Sequence, residues 1–137
     1  MKKYRIAIVE NDEDEQVFMN EGFQSSSQFE VVGLFDNGNK LMEWLDKHPA
    51  GLPEVVLSDL NMPGKNGYDI ISEMRSNPRY REIPVIITST SSTKVFIEKC
   101  LTYGAADYLV KPDTFVEYGD FVKKLYDVIV EKELVKN

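Results

Sequence analysis

Strand-like and helix-like segments alternate along all 137 residues of the chain, with no linker, repeat or low-complexity tract between them. Alternation of this kind is typical of a parallel sheet with helices on both faces, because two parallel strands must be joined by a crossover. The sequence therefore predicts a doubly wound α/β fold with five parallel strands and five helices. The strands are predicted at residues 4–9, 29–35, 54–59, 83–88 and 107–110. The helices are predicted from about 12 to a break at Gly22 and serines 25–27, then at 37–48, 67–76, 92–103 and 114–134.

Apolar stripes indicate which helix faces belong to the core. The second helix is predicted to begin after an Asn37 cap and to end before Pro49. The stripe residues are Leu41, Trp44, Leu45 and His48 on the second helix, Ile97, Cys100, Leu101 and Gly104 on the fourth, and Tyr118, Val122, Leu125 and Ile129 on the last.

Composition restricts the class of protein. Apolar residues make up 42% and charged residues 28%, as in ordinary globular proteins. No apolar stretch approaches the roughly 20 residues of a membrane helix, and no signal-peptide cleavage site follows the basic N-terminus. Cys100 is the single cysteine, which fits a cytoplasmic protein and excludes an intrachain disulfide. The net charge of −7 argues against direct DNA binding.

Polar residues collect where the predicted strands end. Because right-handed crossovers bring the carboxyl ends of parallel strands to one edge, these residues are expected to share a crevice. Asp59 is the most informative of them, since a carboxylate that ends a buried strand calls for a cation or a reaction. The set comprises Glu10, Asn11, Asp12, Asp59, Asn61, Thr88, Ser89, Thr90 and Lys111.

These groups indicate a particular chemistry. Oxygen ligands from carboxylates, an amide and a backbone carbonyl suit Mg²⁺, which is often completed by a phosphoryl oxygen. A lysine holds an anionic oxygen as a point charge, and a hydroxyl donates to another. Such a set would stabilise phosphoryl transfer onto an aspartate carboxylate.

The chain resembles a receiver domain of the two-component response regulators, of the stand-alone chemotaxis type, over roughly residues 4–132. Each short motif is weak alone, but their order and spacing together are highly specific. The resemblance rests on Val9-Glu10-Asn11-Asp12, on Asp59-Leu60-Asn61-Met62-Pro63 through Gly67, on Pro84 to Ser89, and on Tyr108-Leu109-Val110-Lys111-Pro112.

This resemblance implies a flavodoxin-like fold with strand order 2-1-3-4-5 and a role for each site residue. It implies that Asp59 is the phosphoacceptor, that Lys111 contacts the phosphoryl group, and that Ser89 is the switch hydroxyl. Tyr108 matches the aromatic residue that rotates inward on activation. The implied Mg²⁺ ligands are Glu10, Asn11, Asp59 and the backbone carbonyl of Asn61.

One position departs from the family pattern. The second member of the acidic pair, normally an aspartate, is Asn11. An amide oxygen still coordinates but brings no charge, so we expect weaker Mg²⁺ binding. Asp12 could compensate unless it points into the first helix.

The resemblance also implies the partners. A sensor histidine kinase or a histidine phosphotransfer protein would donate the phosphoryl group, and a downstream protein would bind the face formed by the fourth helix, fifth strand and fifth helix. We expect residues 1–137 to be one receiver domain without an output domain, cytoplasmic, and a monomer or weak homodimer. It would not be an enzyme in the usual sense, since it catalyses only its own phosphorylation and dephosphorylation.

Other interpretations stay open at this point. Asn11 could be a simple helix cap, and Thr88 could replace Ser89 if the strand register differed by one residue. A phosphorylation-independent pseudo-receiver that only binds proteins is the main functional alternative. An aspartyl phosphatase is disfavoured by Asn61, two residues after Asp59, and a nucleotide or flavin site by the acidic loop after the first strand.

Overall fold

A computed structural model describes residues 3–112 and 118–135, and within them strands and helices alternate as predicted. The strands are β1 (Tyr4–Val9), β2 (Phe29–Phe35), β3 (Val55–Asp59), β4 (Val85–Ser89) and β5 (Asp107–Val110). The helices are α1 (Glu13–Gln24), α2 (Gly38–Lys47), α3 (Gly67–Ser76), α4 (Lys94–Tyr103) and α5 (Tyr118–Glu131). All strand pairs are parallel and lie in the order β2-β1-β3-β4-β5, which confirms the predicted fold class and topology.

The central strands are covered on both faces. Every residue of β3 and of β4 is buried, which explains their continuous apolar runs. The two strands are in register with Asp59 opposite Thr88, and Ser89 lies opposite Val110 on β5. This register brings the carboxyl ends of three strands together at one edge of the sheet.

Two hydrophobic cores lie on opposite faces of the sheet. Alternate residues of β1 contribute to each, with Ala7 and Val9 in one core and Ile6 and Ile8 in the other. The first core includes residues of α2, α3 and α4, and the second includes residues of α1 and α5. Full burial of a large aliphatic side chain contributes about 1.5–3 kcal/mol, so these two layers supply most of the favourable free energy of folding.

Some predicted boundaries differ from the structure. α1 continues through Gly22 to Gln24, so Gly22 does not break it. A Cβ at Gly22 would lie 3.2 Å from the Tyr118 Cβ, and this glycine instead lets α1 pack closely on α5. β4 begins at Val85, after Pro84, because proline cannot donate to the strand ladder. The predicted start of the last helix, near 114, lies outside the described residues.

The apolar stripes were predicted with unequal success. The α5 stripe is confirmed, since Tyr118, Val122, Leu125 and Ile129 are all buried. The α4 stripe is wrong in part, because Leu101 is 44% exposed and Cys100 is the α4 residue that is fully buried. Asn37 caps α2 as predicted, accepting a hydrogen bond from the Lys40 N–H. No described helix is long and apolar enough to cross a membrane.

Candidate functional site

A pocket of about 250 Å³ opens at the carboxyl edge of the sheet, where β1, β3, β4 and β5 end. Most of the residues predicted for the site line it. One further residue, Glu15 of α1, was not predicted. The lining residues are Glu10, Asn11, Asp12, Glu15, Asp59, Asn61, Ser89, Thr90 and Lys111.

Asp59 ends β3 and is only 8% exposed. Its Oδ1 accepts a hydrogen bond from the Leu60 N–H at 3.0 Å and lies 3.3 Å from Lys111 Nζ. Its Oδ2 accepts no hydrogen bond from residues 3–112 or 118–135. One carboxylate oxygen is therefore held in place while the other is available for chemistry.

Gly67 allows the loop after Asp59 to fold back closely. Its N–H donates to the Leu60 carbonyl at 3.0 Å, where α3 begins. A Cβ at this position would lie 3.0 Å from the Asp59 carbonyl oxygen and 3.0 Å from Ile87 Cδ1. Because one of these nearest atoms is a backbone atom that cannot rotate away, a side chain here would push α3 away from the end of β3.

Lys111 reaches into the centre of the pocket from the end of β5. Its backbone N–H donates to the Ser89 carbonyl at 2.8 Å, which fixes the two residues side by side. Its Nζ lies 2.7 Å from Glu10 Oε1, 2.5 Å from Glu15 Oε2 and 3.3 Å from Asp59 Oδ1. Burial lowers the pKa of Lys111, but the close carboxylates of Glu10, Glu15 and Asp59 outweigh burial, so the pKa is raised. The ammonium group therefore stays charged.

Glu10 is fully buried at the end of β1. Its Oε2 accepts from the Asp12 N–H at 3.2 Å, whereas Oε1, although close to Lys111, receives no well-directed hydrogen bond from the described residues. Burial raises the pKa of Glu10 to about 8, with Lys111 opposing the shift and the charge of Asp59 adding to it. The pocket thus holds more negative charge than Lys111 alone neutralises.

The two residues after Glu10 have separate structural roles. Asp12 caps α1, because its Oδ1 accepts a hydrogen bond from the Glu15 N–H at 2.9 Å. The interpretation of Asn11 as the helix cap is therefore wrong, and the Oδ1 of Asp12, which also lines the pocket, is engaged in the cap. Asn11 is exposed and lines the pocket, so its amide oxygen remains available as a ligand.

The donor set of the pocket fits a hard divalent cation. It offers the poorly satisfied Glu10 Oε1, the available Asp59 Oδ2 and the amide of Asn11, with Asn61 at the rim. Within the described part of the chain, three acidic, histidine or cysteine side chains do not converge in metal-binding geometry. The physical reason is that the Lys111 ammonium lies between the carboxylates. A cation here would rely on few protein ligands and several waters, which is the usual manner of Mg²⁺ binding.

Of the two candidate hydroxyls, Ser89 lines the pocket and Thr88 does not. The Thr88 hydroxyl is buried and has no hydrogen-bond partner among the described residues. The Ser89 Oγ accepts from the Ser91 N–H at 3.3 Å. Ser89 is therefore the residue whose hydroxyl is available to a group bound at Asp59.

Tyr108 lies outside the pocket but is connected to its wall. Its ring is buried, and its hydroxyl donates to the Ser91 carbonyl at 2.8 Å. Ser91 thus contacts both Ser89 and Tyr108 through its own backbone. The ring is already inside in this structure, so an inward rotation of Tyr108 stays a prediction.

Glu15 was missed because no motif marks it. It is one of three acids in the first turn of α1, where acids are common for reasons of helix electrostatics alone. Burial raises the pKa of Tyr118 to about 12, and the charge of Glu15 is the next contribution. Only the three-dimensional structure distinguishes Glu15 from Glu13 and Asp14.

The strand order, with an aspartate, a hydroxyl and a lysine at the carboxyl edge, defines the class of flavodoxin-like receiver folds. The model of the response regulator receiver domain matches residues 6–120, and the chain belongs to that family.

Curated relatives include plant two-component response regulators. ORR5 of Oryza sativa subsp. japonica is 35% identical over 91 residues, which cover 66% of this chain and 66% of ORR5. ARR6 of Arabidopsis thaliana is 35% identical over 110 residues, which cover 74% of this chain and 57% of ARR6. The chain thus spans less than two thirds of the length of these relatives.

Solved structures show the same fold. The phosphorylated cyanobacterial phytochrome response regulator RcpA has a TM-score of 0.82 and 25% identity, with 95% of this chain and 96% of RcpA covered. The Mn²⁺-bound response regulator Rcp1 has a TM-score of 0.76 and 23% identity, with 89% of this chain and 91% of Rcp1 covered.

Proposed function

We propose that the chain is a two-component response regulator that accepts a phosphoryl group on Asp59 from a phosphohistidine in a Mg²⁺-dependent reaction. The observation that carries this proposal is the pairing of Asp59 with Lys111 in the pocket, at 3.3 Å, with one Asp59 oxygen available. Membership of the receiver family supports it.

Asp59 Oδ2 would attack the phosphorus of the donor. The new O–P bond forms as the N–P bond breaks, and the electron pair of that bond returns to the imidazole nitrogen of the donor. Lys111 donates to one oxygen of the transferring group and Ser89 to another, which stabilises the charge that these oxygens carry. The product is an aspartyl phosphate, and the protein acts on no other substrate.

The proposed ligands of Mg²⁺ are Glu10, Asn11, Asp59 and the backbone carbonyl of Asn61. When bound, Mg²⁺ neutralises charge on the carboxylates and on the phosphoryl oxygens. Until then the negative charge of Asp59 repels an anionic donor, which gives a physical reason for the metal dependence.

The proposed readout passes through Ser91. As Ser89 turns its hydroxyl toward the phosphoryl group, the hydrogen bond from the Ser91 N–H weakens, and the Ser91 carbonyl that holds Tyr108 moves with it. The face of α4, β5 and α5 would then change its partner preference. Exposed apolar side chains of α4 and β5 suit a protein partner: Val95, Phe96, Leu101 and Val110.

The proposed donors are a sensor histidine kinase or a histidine phosphotransfer protein, and the proposed target is a protein. The net charge of −7 favours basic protein surfaces over DNA. We also propose a cytoplasmic location, with which the one cysteine agrees, and a monomeric or weakly dimeric state.

A phosphorylation-independent pseudo-receiver is the second candidate. Asn11 favours it, because the pocket lacks one carboxylate of the family pattern. Asp59, Ser89 and Lys111 favour a working receiver, since a module that only binds proteins has no use for this combination.

Intact-protein mass after incubation with acetyl phosphate and Mg²⁺ tests the proposal, with Asp59→Asn as the control. We expect a gain of one phosphoryl group that requires Mg²⁺ and is absent in the variant. If wild type stays unmodified with acetyl phosphate and with histidine-phosphorylated donor proteins, the pseudo-receiver replaces this proposal.

A further inference from the structure

Glu15 holds the catalytic lysine of the pocket. Its Oε2 accepts a hydrogen bond from Lys111 Nζ at 2.5 Å, closer than either Glu10 or Asp59. α1 presents it to the pocket from its first turn, in which Asp12 caps the Glu15 N–H. The contact joins residues 96 positions apart and belongs to the tertiary structure of this chain.

The Lys111 ammonium directs its hydrogen bond to Glu15. Three carboxylates surround it, but among the described residues only Glu15 Oε2 receives a hydrogen bond from it, since Glu10 Oε1 receives none and Asp59 Oδ1 lies at 3.3 Å. To donate to a phosphoryl oxygen on Asp59, Lys111 therefore has to move toward Asp59 and give up its hydrogen bond to Glu15.

Glu15 is the carboxylate that can withdraw. Its side chain is 33% exposed, whereas that of Glu10 is 1% exposed and that of Asp59 is 11% exposed. A half-buried glutamate regains its hydration by rotating into water, while the fully buried Glu10 would lose its contact with Lys111 without gaining water. Asp59 cannot leave, because it is the acceptor.

We propose that Glu15 is a positioning residue that occupies Lys111 in the unphosphorylated protein and must release it for phosphorylation of Asp59. This inference rests on the proposed function. Glu15 thus opposes phosphoryl transfer and keeps the site from reacting freely with small phosphate donors.

The test compares four proteins with acetyl phosphate and saturating Mg²⁺: wild type, Glu15→Gln, Glu15→Asp and Glu13→Gln. Glu15→Gln removes the charge and the strong hydrogen bond. Glu15→Asp keeps the charge but shortens the side chain, so it separates direct contact with Lys111 from the general charge of α1. Glu13→Gln is the matched control, because it removes an exposed acid from the same helix turn.

Both Glu15 variants should take up the phosphoryl group faster than wild type, by a factor of about 2 to 5, as expected for the loss of a partly exposed ion pair. Glu13→Gln should match wild type. The rate of loss of the phosphoryl group should stay within about twofold of wild type in all four, because Glu15 has already left Lys111 in that state. A purely structural effect would change both rates.

The inference is overturned if Glu15→Gln is no faster than wild type, or if Glu15→Asp matches wild type, since bulk charge would then explain the effect. It is also overturned if Glu15→Gln is slower, because Glu15 would then assist Lys111. Absence of phosphoryl uptake in all four proteins, with acetyl phosphate and with a histidine-phosphorylated donor protein, contradicts the proposed function itself and is distinct from these results. Phosphoryl uptake in Glu15→Gln but not in wild type would support both the proposed function and the proposed role of Glu15.

Discussion

At the scale of single residues, Asn11 gives the pocket one negative charge fewer than the family pattern. It lies exposed at the rim beside Glu10, and the neighbouring Asp12 is held as the cap of α1. One carboxylate oxygen of Asp12 is thus engaged in the cap, and the expectation of weaker Mg²⁺ binding rests on the missing charge at Asn11.

Asn11→Asp should tighten Mg²⁺ binding about tenfold or more, since a unit negative charge a few ångströms from a cation is worth more than 1 kcal/mol even at the effective dielectric of a protein surface. Isothermal titration of Mg²⁺ into metal-free protein measures this. Asn39→Asp, which adds the same charge on the exposed surface of α2, should leave the affinity nearly unchanged. Equal affinities in wild type and Asn11→Asp would show that residue 11 does not ligate the metal.

Sequence reasoning reached most, but not all, of the residues in the pocket. Asp59, Ser89 and Lys111 could be found because each follows an apolar strand and matches a family motif. Glu15 could not, because its contact with Lys111 depends on how α1 lies against the end of β5. The cap at Asp12 rather than Asn11 is a one-residue difference that composition cannot decide, since both residue types are good caps.

At the scale of elements, the connection from β4 to α4 joins the pocket to the partner face. Ser91 receives the Tyr108 hydroxyl on its carbonyl and donates its own N–H to Ser89. In the proposed mechanism these two hydrogen bonds carry a change at Ser89 to Tyr108, beside the direct contact of Lys111 with Asp59.

Tyr108→Phe should lower the free energy of unfolding by about 1 kcal/mol, because the Ser91 carbonyl loses its donor while the ring still fits. Phosphoryl uptake at Asp59 should continue, since Tyr108 does not line the pocket. Urea unfolding measures the first effect and intact-protein mass the second. Tyr103→Phe, on an exposed ring, should change stability by less than about 0.5 kcal/mol. If both variants are equally stable, the Tyr108 hydrogen bond is not formed in solution.

Gly67→Ala should destabilise the protein by about 1–3 kcal/mol, because the added methyl group meets the Asp59 carbonyl and Ile87 at the start of α3. It should also slow phosphoryl uptake by displacing the loop after Asp59. Gly119→Ala is the control, since nothing lies within 4 Å of a Cβ there, and stability should be unchanged or rise by up to about 1 kcal/mol. Thermal unfolding of the two variants compares them, and a neutral Gly67→Ala would contradict the close approach.

Periodicity predicted α5 well and α4 poorly, for a physical reason. α5 packs beside α1 in the same core, and its buried residues form one clear stripe. α4 carries apolar residues on several sides, among them the exposed Val95, Phe96 and Leu101. A pattern of apolar residues in the sequence cannot distinguish a helix face buried in the core from an exposed apolar face.

At the scale of the whole molecule, topology creates the site. The order β2-β1-β3-β4-β5 brings Glu10, Asp59, Ser89 and Lys111 from four strand ends to one edge. The alternation of elements and the handedness of crossovers predicted that the strand ends meet at one edge, and the family resemblance implied the strand order. The direction of signalling was not, because it depends on which protein binds the α4, β5 and α5 face.

The most direct test of the central claim identifies the residue that carries the phosphoryl group. Protein treated with acetyl phosphate and Mg²⁺ is reduced with borohydride, which converts an aspartyl phosphate to homoserine, and its peptides are sequenced by mass spectrometry. We predict homoserine at position 59, only when Mg²⁺ was present. Homoserine at another aspartate, or a phosphorylated protein with an unchanged residue 59, would contradict Asp59 as the phosphoacceptor.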